Sequence, residues 1–239
     1  MALNSHIEWT EASWNPVTGC SRTSPGCDNC YAKRMALRLQ AMGQKNYVDG
    51  FAVRVHPDSL AIPSTWKKPG MIFVNSMGDL FHPEVPLPFI HDVFDVIRSV
   101  NRHVYQVLTK RSGRMADTSL KWPSNAWAGV SVENSDYLYR IENLRRVRAG
   151  IRFVSFEPLL GPIQTVDLSG IAWVIAGGES GPGARPVSVE WVRGFRDMCL
   201  EQGVPFFFKQ WGGFRKKENG RMLDGRSWDM MPVQALVRQ

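Results

Sequence analysis

The chain has 239 residues, of which 44% are hydrophobic and 21% charged, so its composition is that of a globular protein and excludes a disordered chain. It carries 29 lysines and arginines against 22 aspartates and glutamates, a net charge of +7, which is compatible with an anionic ligand or a nucleic acid without requiring either. The N-terminus shows no secretory signal pattern, and no apolar stretch approaches the ~20 residues of a membrane span. We therefore expect a cytoplasmic protein that does not contact a membrane.

Short apolar runs rich in β-branched and aromatic residues predict buried strands along the chain. A first strand is expected over 14–18, followed by strands over 71–75, 103–109, 126–132, 151–156, 171–176 and 204–208. Apolar residues three and four positions apart predict amphipathic helices over 28–42, 90–97, 138–147 and 189–199. No long helix is expected between the strands that begin at 151 and 171, where the sequence reads EPLLGPIQ.

Strands that alternate with helices indicate a mainly parallel sheet with crossover connections. The number of strands predicts an α/β fold, a partial TIM-like (β/α)6 barrel of six or seven strands, and an open doubly wound sheet is the alternative. We expect one domain over 1–239, with 212–239 as a C-terminal extension.

Three of the four cysteines lie within eleven residues, directly after the first predicted strand. Cys20, Cys27 and Cys30 have the spacing C-x6-C-x2-C, in a loop that contains Pro25 and Gly26. In a reducing compartment such a group is typical of metal binding, and thiolates suit either zinc or an iron–sulfur cluster. Three thiolates would leave one iron of a [4Fe–4S] cube open to another ligand.

A structural zinc site is the alternative interpretation, because zinc takes four ligands. His6, His82 or Cys199 would then supply the fourth ligand. Cys199 lies on the apolar face of a predicted helix, which favours a core position instead. On the residues alone, zinc and an iron–sulfur cluster are equally supported.

A polar or glycine-rich segment follows nearly every predicted strand. The charged residues in these segments are Asp79, Lys110, Glu133, Glu157, Glu179 and Lys209. The carboxyl ends of parallel strands meet at one edge of a sheet, and ligands bind at that edge in α/β proteins. We therefore predict one ligand site that these residues share with the cysteine loop.

The motifs WNPVTGC, SPGCDNCYA, NSMGDLFH, LTKR, FEPLLGP, GGESG and FKQWGG, in that order over about 14–213, resemble a family of phage-associated proteins of unknown function that is regarded as radical-S-adenosylmethionine-like. The cysteine loop itself resembles that of radical S-adenosylmethionine enzymes. Their usual spacing is C-x3-C-x2-C with an aromatic residue before the last cysteine, whereas here the spacing is C-x6-C-x2-C and Tyr31 follows the last cysteine.

This resemblance implies that Cys20, Cys27 and Cys30 hold a [4Fe–4S] cluster and that S-adenosylmethionine is the second cofactor. Asp79 would meet its ammonium group, because that pair makes charge-assisted hydrogen bonds. Lys110 or Arg111 would meet its carboxylate, and Ser131 or Glu133 its ribose. The other residues predicted on the cofactor side are Tyr31, Asn75, Met77, Gly78, Glu157, Gly177, Gly178 and Glu179.

The implied chemistry is reductive cleavage of S-adenosylmethionine to a 5′-deoxyadenosyl radical, which abstracts a hydrogen atom from an unknown substrate. An electron donor of the flavodoxin or ferredoxin type would then be a partner, and a nucleic acid or nucleotide is the substrate class considered. The residues predicted to contact the substrate are Arg185, Lys209, Gln210 and Trp211. Trp211 could stack on a ring or simply cover the barrel end.

Two other functions stay open at this point. A non-catalytic zinc-binding protein that binds nucleic acid would use the basic residues over 215–221, since the arginines over 140–148 are expected on a solvated helix face. A metal-independent hydrolase would use Glu157 and Glu179 as paired carboxylates, although nothing in the sequence sets their separation.

Overall fold

Seven parallel strands form the main sheet, and they lie side by side in the order in which they occur in the chain, with only the two strands of a small separate sheet skipped. The computed structural model describes residues 5 and 7–232. Its strands are β1 (Ala12–Trp14), β2 (Val17–Thr18), β3 (Arg54–Val55), β4 (Met71–Val74), β5 (Val104–Thr109), β6 (Ala126–Ser131), β7 (Ile151–Phe156), β8 (Trp173–Gly177) and β9 (Phe206–Gln210). Its helices are α1 (Tyr31–Ala41), α2 (Ile62–Thr65), α3 (Leu87–Ser99), α4 (Ser112–Asp117), α5 (Tyr139–Arg145), α6 (Val189–Glu201) and α7 (Lys216–Asn219).

The strand order of the main sheet is β1-β4-β5-β6-β7-β8-β9, and every neighbouring pair is parallel. A doubly wound sheet reverses its strand order at a switch point, and this sheet has no such reversal among its strands. The sheet is therefore a half-barrel, which confirms the predicted partial TIM-like α/β fold.

The two faces of the half-barrel carry different cores because side chains alternate along each strand. The outer face packs against α3, α5 and α6, whose buried residues include Ile90, Ile141 and Phe195. The inner face is filled towards the amino ends of the strands by a cluster dominated by aromatic rings. These rings are Trp9, Phe73, Trp127, Phe153, Trp173 and Phe207.

The first predicted strand, over 14–18, is wrong in extent. The main-sheet strand is β1, which ends at Trp14, whereas Val17 and Thr18 form β2 and pair with β3 in the separate antiparallel sheet. Pro16 lies between the two strands and has no backbone N–H to donate to a ladder, so the chain changes sheets there.

The long connection between β7 and β8 contains no helix, as the sequence indicated. The other predicted helices are present, and α1 begins at Tyr31 rather than near Asp28 because Pro25–Cys27 forms a separate 3₁₀ turn. No helix within residues 5 and 7–232 combines the length and apolarity that crossing a bilayer needs.

The open edge at β9 is covered by a later segment of the same chain. Phe208 N–H donates to the carbonyl oxygen of Trp228 at 2.8 Å, and Met230 N–H donates to that of Phe206 at 3.2 Å. An uncovered edge strand is a site for pairing with other chains, so residues 228–230 protect this side of the sheet.

The packing of the inner face requires a glycine at position 129. A Cβ atom on Gly129 of β6 would lie 2.3 Å from Cζ of Phe153. Such overpacking of a filled core costs about 1–3 kcal/mol. We expect Gly129→Ala to lower the free energy of unfolding by that amount, measured by urea denaturation.

Gly194→Ala is the matched control, since Gly194 lies within α6 and a Cβ atom there would have no neighbour within 4 Å. It should raise the free energy of unfolding by about 0.5–1 kcal/mol through helix propensity. Equal effects of the two substitutions would contradict this account of the inner face.

Candidate functional site

A cavity of about 210 Å³ lies at the carboxyl edge of the half-barrel, and Cys20, Cys27 and Cys30 all line it. The other predicted site residues that line it are Tyr31, Asn75, Gly78, Asp79, Lys110, Arg111, Ser131 and Glu157. A smaller adjoining pocket is lined by Gly178 and Glu179, and it shares Cys30, Tyr31 and Glu157 with the main cavity. The strand ends and the cysteine loop therefore meet in one place.

The remaining predicted residues lie behind this lining. Met77 packs against Ala32 and Ala36 of α1, and its carbonyl oxygen accepts a hydrogen bond from Gly19 N–H at 2.9 Å. Gly177 is the last residue of β8 and accepts a hydrogen bond from Leu159 N–H. The others outside the lining of both pockets are Glu133, Arg185, Lys209, Gln210 and Trp211.

The cysteine loop is held over the end of β4 by its own backbone. Gly19 has a φ of 82° and approaches the carbonyl of Ala52 so closely that a Cβ atom there would lie 2.0 Å from the oxygen. Cys27 closes the 3₁₀ turn Pro25–Cys27, and Cys30 is the residue that precedes α1. The three thiols therefore come from three consecutive local structures around one cavity.

Two of the three thiols have different electrostatic environments. Burial and the nearby Asp79 carboxylate raise the pKa of Cys20 to about 11, although Nη1 of Arg111 lies 3.3 Å from its sulfur. Burial also acts to raise the pKa of Cys27, but hydrogen bonds from Thr23 and the charge of Lys110 outweigh it, so this pKa lies below its ordinary value. Of these two thiols, Cys27 is the one that more readily becomes a thiolate, the form that binds metals.

Asp79 is the centre of a buried hydrogen-bond network. Its carboxylate accepts from the Thr109 hydroxyl at 2.7 Å and from Nη1 of Arg111 at 3.2 Å. Arg111 also donates to the backbone oxygen of Ser21 and to its hydroxyl. An ammonium group that met Asp79, as predicted, would therefore share this carboxylate with Arg111.

Glu133 is fully buried and lies behind the cavity wall. Its carboxylate accepts from Lys110 at 2.5 Å, from Arg140 at 2.9 Å and from the Ser24 hydroxyl at 2.6 Å. Burial alone would raise the pKa of Glu133, but the two cations and the hydrogen bonds hold it below its usual value. The expectation of a solvated helix face is thus wrong for Arg140, which is only 1% exposed because it neutralises this carboxylate.

Two further ion pairs involve Glu179 and Glu157, which line the rim of the two pockets. Glu179 accepts from Arg185 at 2.5 Å and from Asn29 at 3.0 Å, which ties the GGESG segment to the cysteine loop. Arg185 also reaches the carbonyl oxygen of Pro25 at 2.8 Å. Glu157 pairs with Lys209.

Trp211 does not face the cavity. Its ring packs edge-on against Phe208 at a centroid distance of 4.7 Å, and its Nε1 donates to the carbonyl oxygen of Met222 at 2.9 Å. In this position the ring covers part of β9, and its contact with a substrate stays a prediction. Gln210 is buried at the end of β9 and donates to the Ser180 hydroxyl at 3.0 Å.

Neither His82 nor Cys199 is placed to complete a zinc site as its fourth ligand. Both ring nitrogens of His82 have partners, because Nδ1 accepts from Glu84 N–H at 3.2 Å and Nε2 contacts the Ser21 hydroxyl at 2.7 Å. Cys199 is fully buried in the outer core, where burial raises its pKa to about 12. His6 lies outside the described residues. Within residues 5 and 7–232, no three His, Cys, Asp or Glu side chains converge on one ion position.

The basic residues over 215–221 are largely neutralised. Arg215 pairs with Glu218 at 3.1 Å, Lys216 pairs with Glu8 at 3.3 Å, and Arg221 pairs with an aspartate at position 229. Because these pairs cancel charge, the segment presents a weaker field than its composition suggests.

Several cavity residues were not predicted from the sequence. Trp9, Phe73, Leu108 and Ser155 line its deeper part. The signal that would have found the last three is the alternation of each strand, since Ser155 lies two residues before Glu157 on the same face of the sheet. Trp9 precedes β1 and carries no such signal.

The buried Glu133 leads to a stability prediction. We expect Glu133→Gln to lower the free energy of unfolding by about 3 kcal/mol near neutral pH, because it leaves Arg140 buried without a counter-charge. The folded pKa of Glu133 lies below its unfolded value, so its contribution is present above the unfolded pKa and is lost as pH falls through the folded one. The difference between wild type and variant should therefore shrink below about pH 4.

Urea denaturation over a pH series measures this difference. The control is Glu142→Gln, which removes an exposed i,i+3 partner of Arg145 and should stay within about 0.5 kcal/mol of wild type. A Glu133→Gln variant as stable as the control would show that the buried network contributes nothing.

The chain is similar to one protein family and to several solved structures. A search of curated proteins finds no match. Structures of spore photoproduct lyase are similar in fold: a mutant with bound AdoMet and dinucleoside spore photoproduct shows 12% identity and a TM-score of 0.47 over 83% of this chain and 63% of that one. A second mutant shows 13% identity and a TM-score of 0.48 over 84% and 64%. This chain thus spans less than two thirds of the length of either. A family model matches residues 4–232, and the chain belongs to the family described as Protein of unknown function (DUF5131).

Proposed function

We propose that this chain is a radical S-adenosylmethionine enzyme that binds a [4Fe–4S] cluster through Cys20, Cys27 and Cys30. The observation that carries the proposal is that these three thiols line a single cavity at the carboxyl edge of a half-barrel, together with the strand-end side chains. That edge is where parallel α/β sheets bind their ligands.

The donor set fits the cluster better than a single zinc ion. A structural zinc ion takes four ligands, and neither His82, whose two ring nitrogens have partners, nor Cys199, which is buried in the outer core, is placed to be the fourth. Thiolates that each bind a different iron of a cube do not have to converge on one point, and three of them leave one iron for a further ligand.

An unpartnered polar group supports a second bound molecule beside the cysteines. Asn75 is 2% exposed and lines the cavity, and its backbone has a φ of 63°. Its Oδ1 accepts from Val17 N–H at 3.2 Å, but its Nδ2 has no partner. A buried donor without an acceptor costs about 1–3 kcal/mol, so an acceptor on a bound cofactor would be stabilised here.

When bound, a [4Fe–4S] cluster would supply one-electron reducing chemistry for S-adenosylmethionine, with the electron coming from a donor of the flavodoxin or ferredoxin type. The chain's own residues orient and enclose the reactants. Asp79 and Asn75 offer an acceptor and a donor to the amino-acid part, while Ser131 offers a hydroxyl. The aromatic inner core closes the amino end of the half-barrel and would keep water from a reactive species.

Anaerobic metal analysis tests the proposal. We expect about four irons and four sulfides per chain, brown colour, and 5′-deoxyadenosine when S-adenosylmethionine and a reductant are added. Replacing Cys27 by alanine should remove the colour and the product, because three thiolates are needed to hold the cube. Cys199→Ala is the matched control and should keep both, since Cys199 lies in the outer core.

A zinc-bearing protein gives a different result. About one zinc per chain, with no iron under anaerobic handling and no 5′-deoxyadenosine, would overturn the proposal. A Cys27→Ala variant that kept its colour and its product would do the same.

A further inference from the structure

The deeper part of the cavity differs from its mouth because its lining is uncharged. Its lining below the cysteines consists of Trp9, Phe73, Leu108 and Ser155, none of which is charged. We call these four residues the cavity floor. The charged residues that line the cavity lie at its mouth, and Asp79, Lys110 and Glu157 are all paired there with opposite charges. An ionised group at the floor would therefore lack a counter-charge, so the floor suits a neutral group.

The floor carries polar atoms that the described structure leaves without partners. Trp9 is 4% exposed and its Nε1 has no acceptor, and Ser155 is 1% exposed and its hydroxyl has no partner. Native proteins pair the large majority of such buried groups. Both residues line the cavity, so a shift of either side chain on binding would present its unpaired group to a bound molecule.

A third unpartnered atom adjoins the floor. Gln106 is fully buried on β5, two residues before Leu108 and on the same face of the sheet. Its Nε2 donates to the backbone oxygen of Trp9 at 3.3 Å, and its Oε1 has no partner. Trp9 thus has an N–H that only donates, Gln106 has a carbonyl oxygen that only accepts, and Ser155 has a hydroxyl that can do both.

The walls around these atoms are apolar and largely aromatic. The rings of Trp9 and Phe73 pack against each other at a centroid distance of 4.8 Å with an interplanar angle of 54°, and Leu108 continues the surface. Aromatic and aliphatic walls of this kind favour a planar ring. A hydrocarbon ring would leave the N–H and the hydroxyl unpaired, whereas a ring with carbonyl and N–H groups on its edge would satisfy them.

We propose that the cavity floor binds the substrate through a nucleobase, a neutral planar ring whose edge carries both carbonyl-type acceptors and N–H donors. The identification of this ring as the substrate rests on the proposed function, but its binding does not, since the floor contains none of the cysteines. Trp9 and Ser155 are the residues that recognise it.

Nuclear magnetic resonance of the full chain, prepared without cluster or S-adenosylmethionine, tests the binding directly. The indole N–H signal of Trp9 is identified in ¹⁵N-labelled protein by its loss in Trp9→Phe. Uridine, cytidine, adenosine and guanosine are then added in turn at millimolar concentration. We expect at least one nucleoside to shift this signal saturably, and toluene, which has the flat ring without a polar edge, to shift it far less.

Two substitutions separate recognition from structure. Trp9→Phe and Ser155→Ala should each weaken nucleoside binding roughly fivefold, the effect of one hydrogen bond. Isothermal titration calorimetry measures this for both variants, because Trp9→Phe lacks the indole signal. Ser155→Ala should not lower the melting temperature, because the hydroxyl has no partner within the described protein to lose and its burial without one is unfavourable. The controls are Trp66→Phe and Ser99→Ala, which lie outside the cavity and should bind as wild type does.

Three results would overturn the inference: no nucleoside moves the Trp9 signal, toluene moves it as strongly, or both floor variants bind like the controls. The first would mean that water alone satisfies these groups. Saturable nucleoside binding by a protein that contains no iron would leave the floor assignment standing while the proposed radical chemistry failed. A cluster-bearing protein that forms 5′-deoxyadenosine but binds no nucleoside would support the proposed radical chemistry and overturn the assignment of the cavity floor.

Discussion

Opposite charges paired at the carboxyl edge of the half-barrel hold the candidate site in shape. Each acidic strand-end residue meets a basic residue that follows another strand or lies in the same loop. The pairs are Asp79 with Arg111, Glu133 with Lys110, Glu157 with Lys209 and Glu179 with Arg185. Parallel strands bring all these side chains to one edge, where like charges would repel and unpaired ones would be costly to bury. Pairing lets the edge be densely charged and still close around a cavity.

The same pairs attach the cysteine loop to the sheet. Arg111 contacts both Asp79 and the backbone of Ser21, and Arg185 contacts both Glu179 and the backbone of Pro25. A loop rich in polar and small residues has little apolar surface to bury, so these charge-assisted bonds supply the contacts that a hydrophobic core would otherwise provide. The positions of the thiols therefore depend on arginines that lie outside the cysteine loop.

The cavity has a lower and an upper level, because residues two positions apart along each strand lie on the same face of the sheet. Apolar rings fill the inner face near the amino ends, and polar side chains follow on the same face as each strand reaches its carboxyl end. Sequence patterns located the upper level, because charged residues that directly follow apolar runs stand out. They did not locate the lower level, since Ser155 within β7 and Trp9 before β1 look like ordinary interior residues in a linear sequence.

What the sequence determined by itself was local: the apolar runs of the strands, the spacing of the helical faces and the grouping of the cysteines. Hydrophobic periodicity and short-range spacing need no knowledge of the fold. Tertiary structure alone decided that Arg140 is buried against Glu133, that Trp211 packs on Phe208 away from the cavity, and that Val17 leaves the main sheet after Pro16. Each of these depends on which distant residue lies opposite, and that is set only when the sheet curves and brings its strand ends together.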